Sequence, residues 1–132
     1  MSRVLLIGIK PDAVDTSDPG VPPGTTTKEV AGQIEATLSD MKARGLEAAP
    51  CLILPDSSAE ATIAASLAEH WDCIVIGAGV RLPSRALPLF ERVVNAVRSG
   101  APGTPIAFNT NPNDSADAAE RWLNGARSAT TR

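Results

Sequence analysis

The residues best able to do chemistry fall at three points of the chain. Lys10 and Asp12 follow an early apolar run that ends Ile7-Gly8-Ile9. Gly77-Ala78-Gly79 closes a second apolar run and leads to Arg81, Ser84 and Arg85. Asn109, Thr110 and Asn111 follow a third. Cations beside glycine turns suit an anionic group such as a phosphate or carboxylate, because glycine admits a close approach and Lys or Arg supplies charged donors. In that reading Lys10, Arg81 and Arg85 hold the anion, Gly77 and Gly79 let it approach, and Asn109 and Asn111 orient its polar groups. Asp12 is the best candidate for a general base. The plainer reading carries equal weight: the glycines shape a turn and the arginines pair with surface carboxylates.

The spacing is weakly specific. Gly77-x-Gly79 lacks the third glycine of a dinucleotide fingerprint, and the chain contains no P-loop. Gly24-Thr25-Thr26-Thr27 is similar to the phosphate loop of flavodoxins, but a long proline-rich stretch separates it from the first strand and helix capping explains its threonines. None of the four aromatic residues is placed to stack on a flavin. A receiver-type phosphotransfer site needs an aspartate where this chain has Gly77-Ala78-Gly79. No cofactor is therefore assigned. Two cysteines and one histidine give no metal-ligand spacing, so no metal site is expected. Cys51 and Cys73 fall in different strands that would flank a third, about 9.5 Å apart, and are expected as buried free thiols. His70 and Trp71 sit at the opposite end of the strands from the candidate site and read as a surface or capping residue and a packing residue.

The elements that position these residues follow from hydrophobic patterning. Arg3–Ile9 and Cys73–Ile76 are short, nearly unbroken apolar runs, the mark of strands buried on both faces of a parallel sheet. Ala49–Leu54 and Thr104–Phe108 supply a second and a fourth strand. Lys10–Gly24 carries four prolines and two glycines and must be a loop, either a binding loop or lid, or a loose surface insertion. A first helix starts at Thr26, with Glu29 at capping-box spacing and Val30, Ile34, Leu38 and Met41 in one stripe. Ser57 and Glu60 repeat that spacing before a second helix running to about Glu69. A third helix begins between Ser84 and Leu87 and ends at Ser99-Gly100. A last helix, capped by Asn113 or Asp114, turns Ala119, Trp122, Leu123 and Ala126 inward.

The 132 residues suffice for one domain, expected over 1–127 with a frayed tail at 128–132. A net charge of −3 offers no footprint for nucleic acid, and no apolar run approaches a membrane span. The opening MSRVLLIGIK reads as a strand rather than a signal peptide, so a cytoplasmic location is expected. The β-α alternation, repeated four times, predicts a three-layer α/β/α sandwich of flavodoxin-like type, its four parallel strands ordered 2-1-3-4. Its switch point lies between the first and third strands, where ligands of open α/β sheets bind. The edge beside the fourth strand is expected to be covered in a homo-oligomer.

The stretches Ile7–Pro19, Asp72–Pro83, Leu89–Val97 and Phe108–Leu123 resemble a group of small bacterial proteins of flavodoxin-like fold with no established activity. The resemblance implies a bacterial source and that fold, and it transfers no catalytic residue. Two functional readings follow from the residues. One is a small-anion site, open to catalysis, at the carboxyl edge of strands 1 and 3. The other is a non-catalytic interaction or oligomer-forming domain.

Overall fold

The structure is a computed structural model that describes residues 1–19, 21–83 and 86–130, with side chains in the last helix described to Leu123. Its elements are β1 (Arg3–Ile9), a 3-10 turn (Pro11–Ala13), α1 (Thr27–Ala43), β2 (Glu47–Ile53), α2 (Ala59–Ser66), β3 (Cys73–Ile76), α3 (Ala78–Arg81), α4 (Leu87–Gly100), β4 (Ile106–Phe108), a second 3-10 turn (Pro112–Asp114) and α5 (Ser115–Thr130). The four strands form one all-parallel sheet in the order β2-β1-β3-β4. This is the flavodoxin-like three-layer arrangement.

Strand alternation divides the apolar residues between two cores. Leu5, Ile7, Ile9, Ile53, Ile74 and Ile76 face α2 and α4, where they meet Ile63, Val93 and Val97. Val4, Leu6, Cys73, Val75 and Ala107 face α1 and α5, meeting Met41, Ala119 and Leu123. Cys51 belongs to the first core and Cys73 to the second; both are buried, free thiols. Burial pushes both thiols up, Cys73 to about 11. No described helix is long and apolar enough to cross a membrane.

The helix ends show where local signals held. Thr26 Oγ1 accepts from Glu29 N at 3.1 Å, and Gly45 takes a φ of +81° just past α1, a conformation that glycine adopts without strain. The expected Ser57–Glu60 box does not form. Instead Ser58 is the N-cap of α2 and the Asp56 carboxylate accepts from Ser58 N at 2.8 Å, while Glu60 is drawn away to ion-pair with Arg92. The α2 helix stops at Ser66, where the backbone carbonyl accepts the indole N–H of buried Trp71 at 2.8 Å. Trp122, expected inward, is 50% exposed, because Ala116, Ala119 and Leu123 already fill the contact with the sheet. The backbone of α5 is helical from Ser115 to Thr130.

The α1 stripe is not uniform. Met41 is fully buried against the sheet, whereas Ile34 and Val30, about two and three turns nearer the N-terminus, are only partly covered. Removing buried side-chain volume costs both transfer free energy and a residual void. Met41→Ala should therefore lower the unfolding free energy by about 2–5 kcal/mol in urea titration, and Ile34→Ala by no more than about 1 kcal/mol.

Candidate functional site

The thinning of the core along α1 has a cause in the sheet. Strand register places Leu52 opposite Gly8, and one step beyond the Ile7–Ile76 and Ile76–Phe108 pairs come Gly77 and Asn109. The row Leu52, Gly8, Gly77, Asn109 thus crosses β2, β1, β3 and β4 at their carboxyl ends. Alternation directs it toward α1 and α5. At its centre are two glycines, so the sheet projects no side chain there. The result is a cavity of about 310 Å³ between the sheet edge and the first turns of α1.

Its walls are predominantly apolar. Val30 and Ile34 of α1 face Leu6 and Leu52, and Val14, Val21 and Pro22 of the Lys10–Gly24 loop close another side. That loop is folded by its own hydrogen bonds, Val21 N to Asp18 O at 2.9 Å and Ser17 N to Asp15 Oδ1 at 3.0 Å among them. Gly77 is held closely: its N–H donates to Ile7 O at 2.9 Å, and a Cβ here would lie only 3.2 Å from that oxygen. Gly8 has room, since a Cβ would meet nothing nearer than Leu52 Cδ2 at 3.8 Å.

Of the residues expected to form an anion site, Gly77, Gly79, Asn109 and Asn111 line the cavity. Lys10, Arg81 and Asp12 do not line it, and Arg85 lies outside the described residues. Lys10 is exposed, and its charge helps hold the Asp56 carboxyl below its usual range, after the larger effects of the Ser58 hydroxyl and N–H. Asp12 is exposed on the first 3-10 turn. Arg81 is carried away by α3, a helical turn where an open glycine loop was expected. Val80 anchors that turn in the α2/α4 core, and the Arg81 guanidinium lies 5.9 Å from the centre of the Phe108 ring. Phe108 in turn meets Phe90 of α4 edge-on at 5.8 Å, so Arg81 sits over the opposite face of the sheet from the cavity.

The polar groups of the cavity are mostly committed to one another. Thr25 donates to Pro22 O at 2.7 Å and Ser115 to Pro112 O at 3.0 Å. Thr37, on α1, shares its proton between Gln33 O and Pro112 O at 2.9 and 3.1 Å, tying the helix to the second 3-10 turn. The Thr110 hydroxyl donates to Asp114, and Asn111 Oδ1 accepts from Asn113 N at 2.8 Å as the cap of that turn. Asn111 is thus a shaping residue. Asn109 differs. It is 4% exposed, its Nδ2 donates to Ser115 Oγ at 2.8 Å, and its Oδ1 is buried with no hydrogen-bond partner among the described residues. Such an orphan acceptor costs about 1–3 kcal/mol.

Sequence reading found Asn109 but not its state, placed Gly8 at this edge without a role, and missed Thr37 and Ser115. The two glycines each end an apolar run, a usable signal only once register sets them side by side.

No protein-family model matches the chain, and a search of curated proteins finds no match.

The 3-10 turn that carries Asn111 depends on Asp114. Partial burial raises the pKa of Asp114, but hydrogen bonds from the Thr110 hydroxyl and from Asn111 N and Thr110 N outweigh it and hold the group below the usual 3.8. A depressed folded value means stability that is present above 3.8 and lost as pH falls through the folded value. Asp114→Ala should be less stable than the wild type at neutral pH, and in urea titrations the gap should close once the wild-type carboxylate is protonated.

Proposed function

We propose that this chain binds a small organic ligand at the carboxyl edge of β1 and β3, its apolar body inside the cavity. The observation that carries the reading is the cavity itself. It lies at the switch point of a parallel sheet, has the about 310 Å³ typical of small-ligand sites, and is walled by apolar side chains with a few convergent polar groups. A phosphate or carboxylate on that ligand belongs at the rim. Lys10 directly follows Ile9, which lines the cavity. No reaction is assigned, and a bacterial, cytoplasmic setting belongs to the same proposal.

A ligand that binds only the folded chain stabilises it by mass action, by about 2.7 kcal/mol at a hundredfold excess over Kd. For a domain of this size that is a Tm rise on the order of 10 °C. Thermal shift against nucleotides, sugar phosphates and aromatic or aliphatic acids should find such a ligand. Gly8→Val, which fills the cavity from its floor, should abolish the rise while leaving the unliganded Tm nearly unchanged; a rise that persists in Gly8→Val would place binding elsewhere. Lys10→Ala should weaken anionic ligands only, and Arg81→Ala, on the opposite face of the sheet, should leave every affinity unchanged.

A second reading, an oligomer-forming domain, is favoured by the β4 side. There Leu87 is 64% exposed and Phe108 37%, beside a three-residue edge strand. A sedimentation mass that rises to the dimer at micromolar concentration is its expected outcome, and a monomeric mass would remove it.

A further inference from the structure

The hydroxyls of the cavity and the Asn109 amide specify its ligand more closely, and the inference rests on the cavity being a binding site. Each of the four lining hydroxyls among the described residues, on Thr25, Thr37, Thr110 and Ser115, points its one proton at an oxygen of the protein itself. What these groups leave for a guest is lone pairs. Asn109 shows this best. The Ser115 proton goes to Pro112 O, so toward Asn109 the hydroxyl can only accept. In this network Nδ2 faces Ser115 and Oδ1 is turned away from it, in a residue that lines the cavity. It is the one buried side-chain acceptor without a partner among the described residues. A buried acceptor of this kind calls for a donor.

We infer that Asn109 is the specificity-determining residue of the cavity, its Oδ1 accepting a hydrogen bond from an N–H or O–H on a mainly apolar guest. The class of ligand is therefore a compact aromatic or aliphatic molecule with at least one donor at its inner end. A phosphate or carboxylate buried at that end would set lone pairs against lone pairs. Any charge the ligand carries stays outward.

The test uses two probes of the same shape. Indole carries a ring N–H; benzofuran replaces it with an ether oxygen. Isothermal titration of the full chain should show indole binding at least about tenfold tighter, the order expected for one buried hydrogen bond. In Asn109→Leu, which keeps the volume and removes the acceptor, the two affinities should come within about twofold of each other. Since that variant also loses the bond to Ser115, the wild-type comparison stands alone should it fold poorly. Equal affinity of the two probes for the wild type would mean that Oδ1 is sealed beneath the floor; it would overturn this inference and leave the cavity reading intact. No binding of either probe at millimolar concentration, with Gly8→Val indistinguishable from wild type, would overturn both.

Discussion

The parallel pairing of β1 with β3 is the constraint on which the rest depends. It brings together segments about seventy residues apart, Val4 opposite Cys73 through Ile7 opposite Ile76. The amino end is pinned where Arg3 N donates to Asp72 Oδ2 at 2.7 Å and Asp72 N returns a bond to Arg3 O at 2.8 Å. The Arg3 guanidinium covers the face of Trp71, 4.4 Å from the ring centre. At the carboxyl end the pair finishes in the Gly77 N to Ile7 O bond. Because crossovers in parallel sheets are right-handed, the chain leaving β1 goes to one face and the chain leaving β3 to the other. The gap between them is a consequence of topology, and the glycines keep it from being filled.

The two faces are used differently at that edge. On the α2/α4 face, Val80 and the Phe90–Phe108 contact carry the core to the ends of the strands. On the α1/α5 face, the core is complete only as far as Leu6, Val75 and Met41. Beyond them the Lys10–Gly24 loop and the second 3-10 turn enclose the space without filling it. Arg44 holds this arrangement at its far end, joining Asp40 of α1 to Asp117 and Glu120 of α5 at 3.2, 2.7 and 2.7 Å. Exposed pairs of this kind add little stability individually, but they hold the two helices in a common register. The Thr37 bridge to Pro112 does the same close to the cavity.

A site with committed hydroxyls and one open acceptor differs in kind from a phosphate cradle. Phosphate sites gather backbone N–H groups and cations around the ligand. Here the charged side chains nearest in sequence, Lys10 and Arg81, stand outside an apolar chamber. On the proposed reading, recognition in such a chamber would come from shape and from a single buried hydrogen bond, whose absence from a wrong guest is penalised by desolvation.

Much of the architecture was present in the order of residue types. Apolar runs too short for helices announced buried parallel strands, and their alternation with 3.6-residue stripes, under the handedness rule, led to the 2-1-3-4 order. Local capping was legible where cap and partner are three residues apart, as at Thr26, and failed at Ser57, where Arg92 of another helix competes for Glu60. The cavity could not be read in this way. Its floor is a row of four residues in or just beyond the carboxyl ends of four strands, and whether two glycines a long way apart share a step of the sheet is a matter of register. The direction of Arg81 was likewise beyond local reading, since the burial of Val80 against α4 turned a glycine-rich loop into a helical turn. Types and spacings determined which residues could take part; long-range packing decided which ones meet.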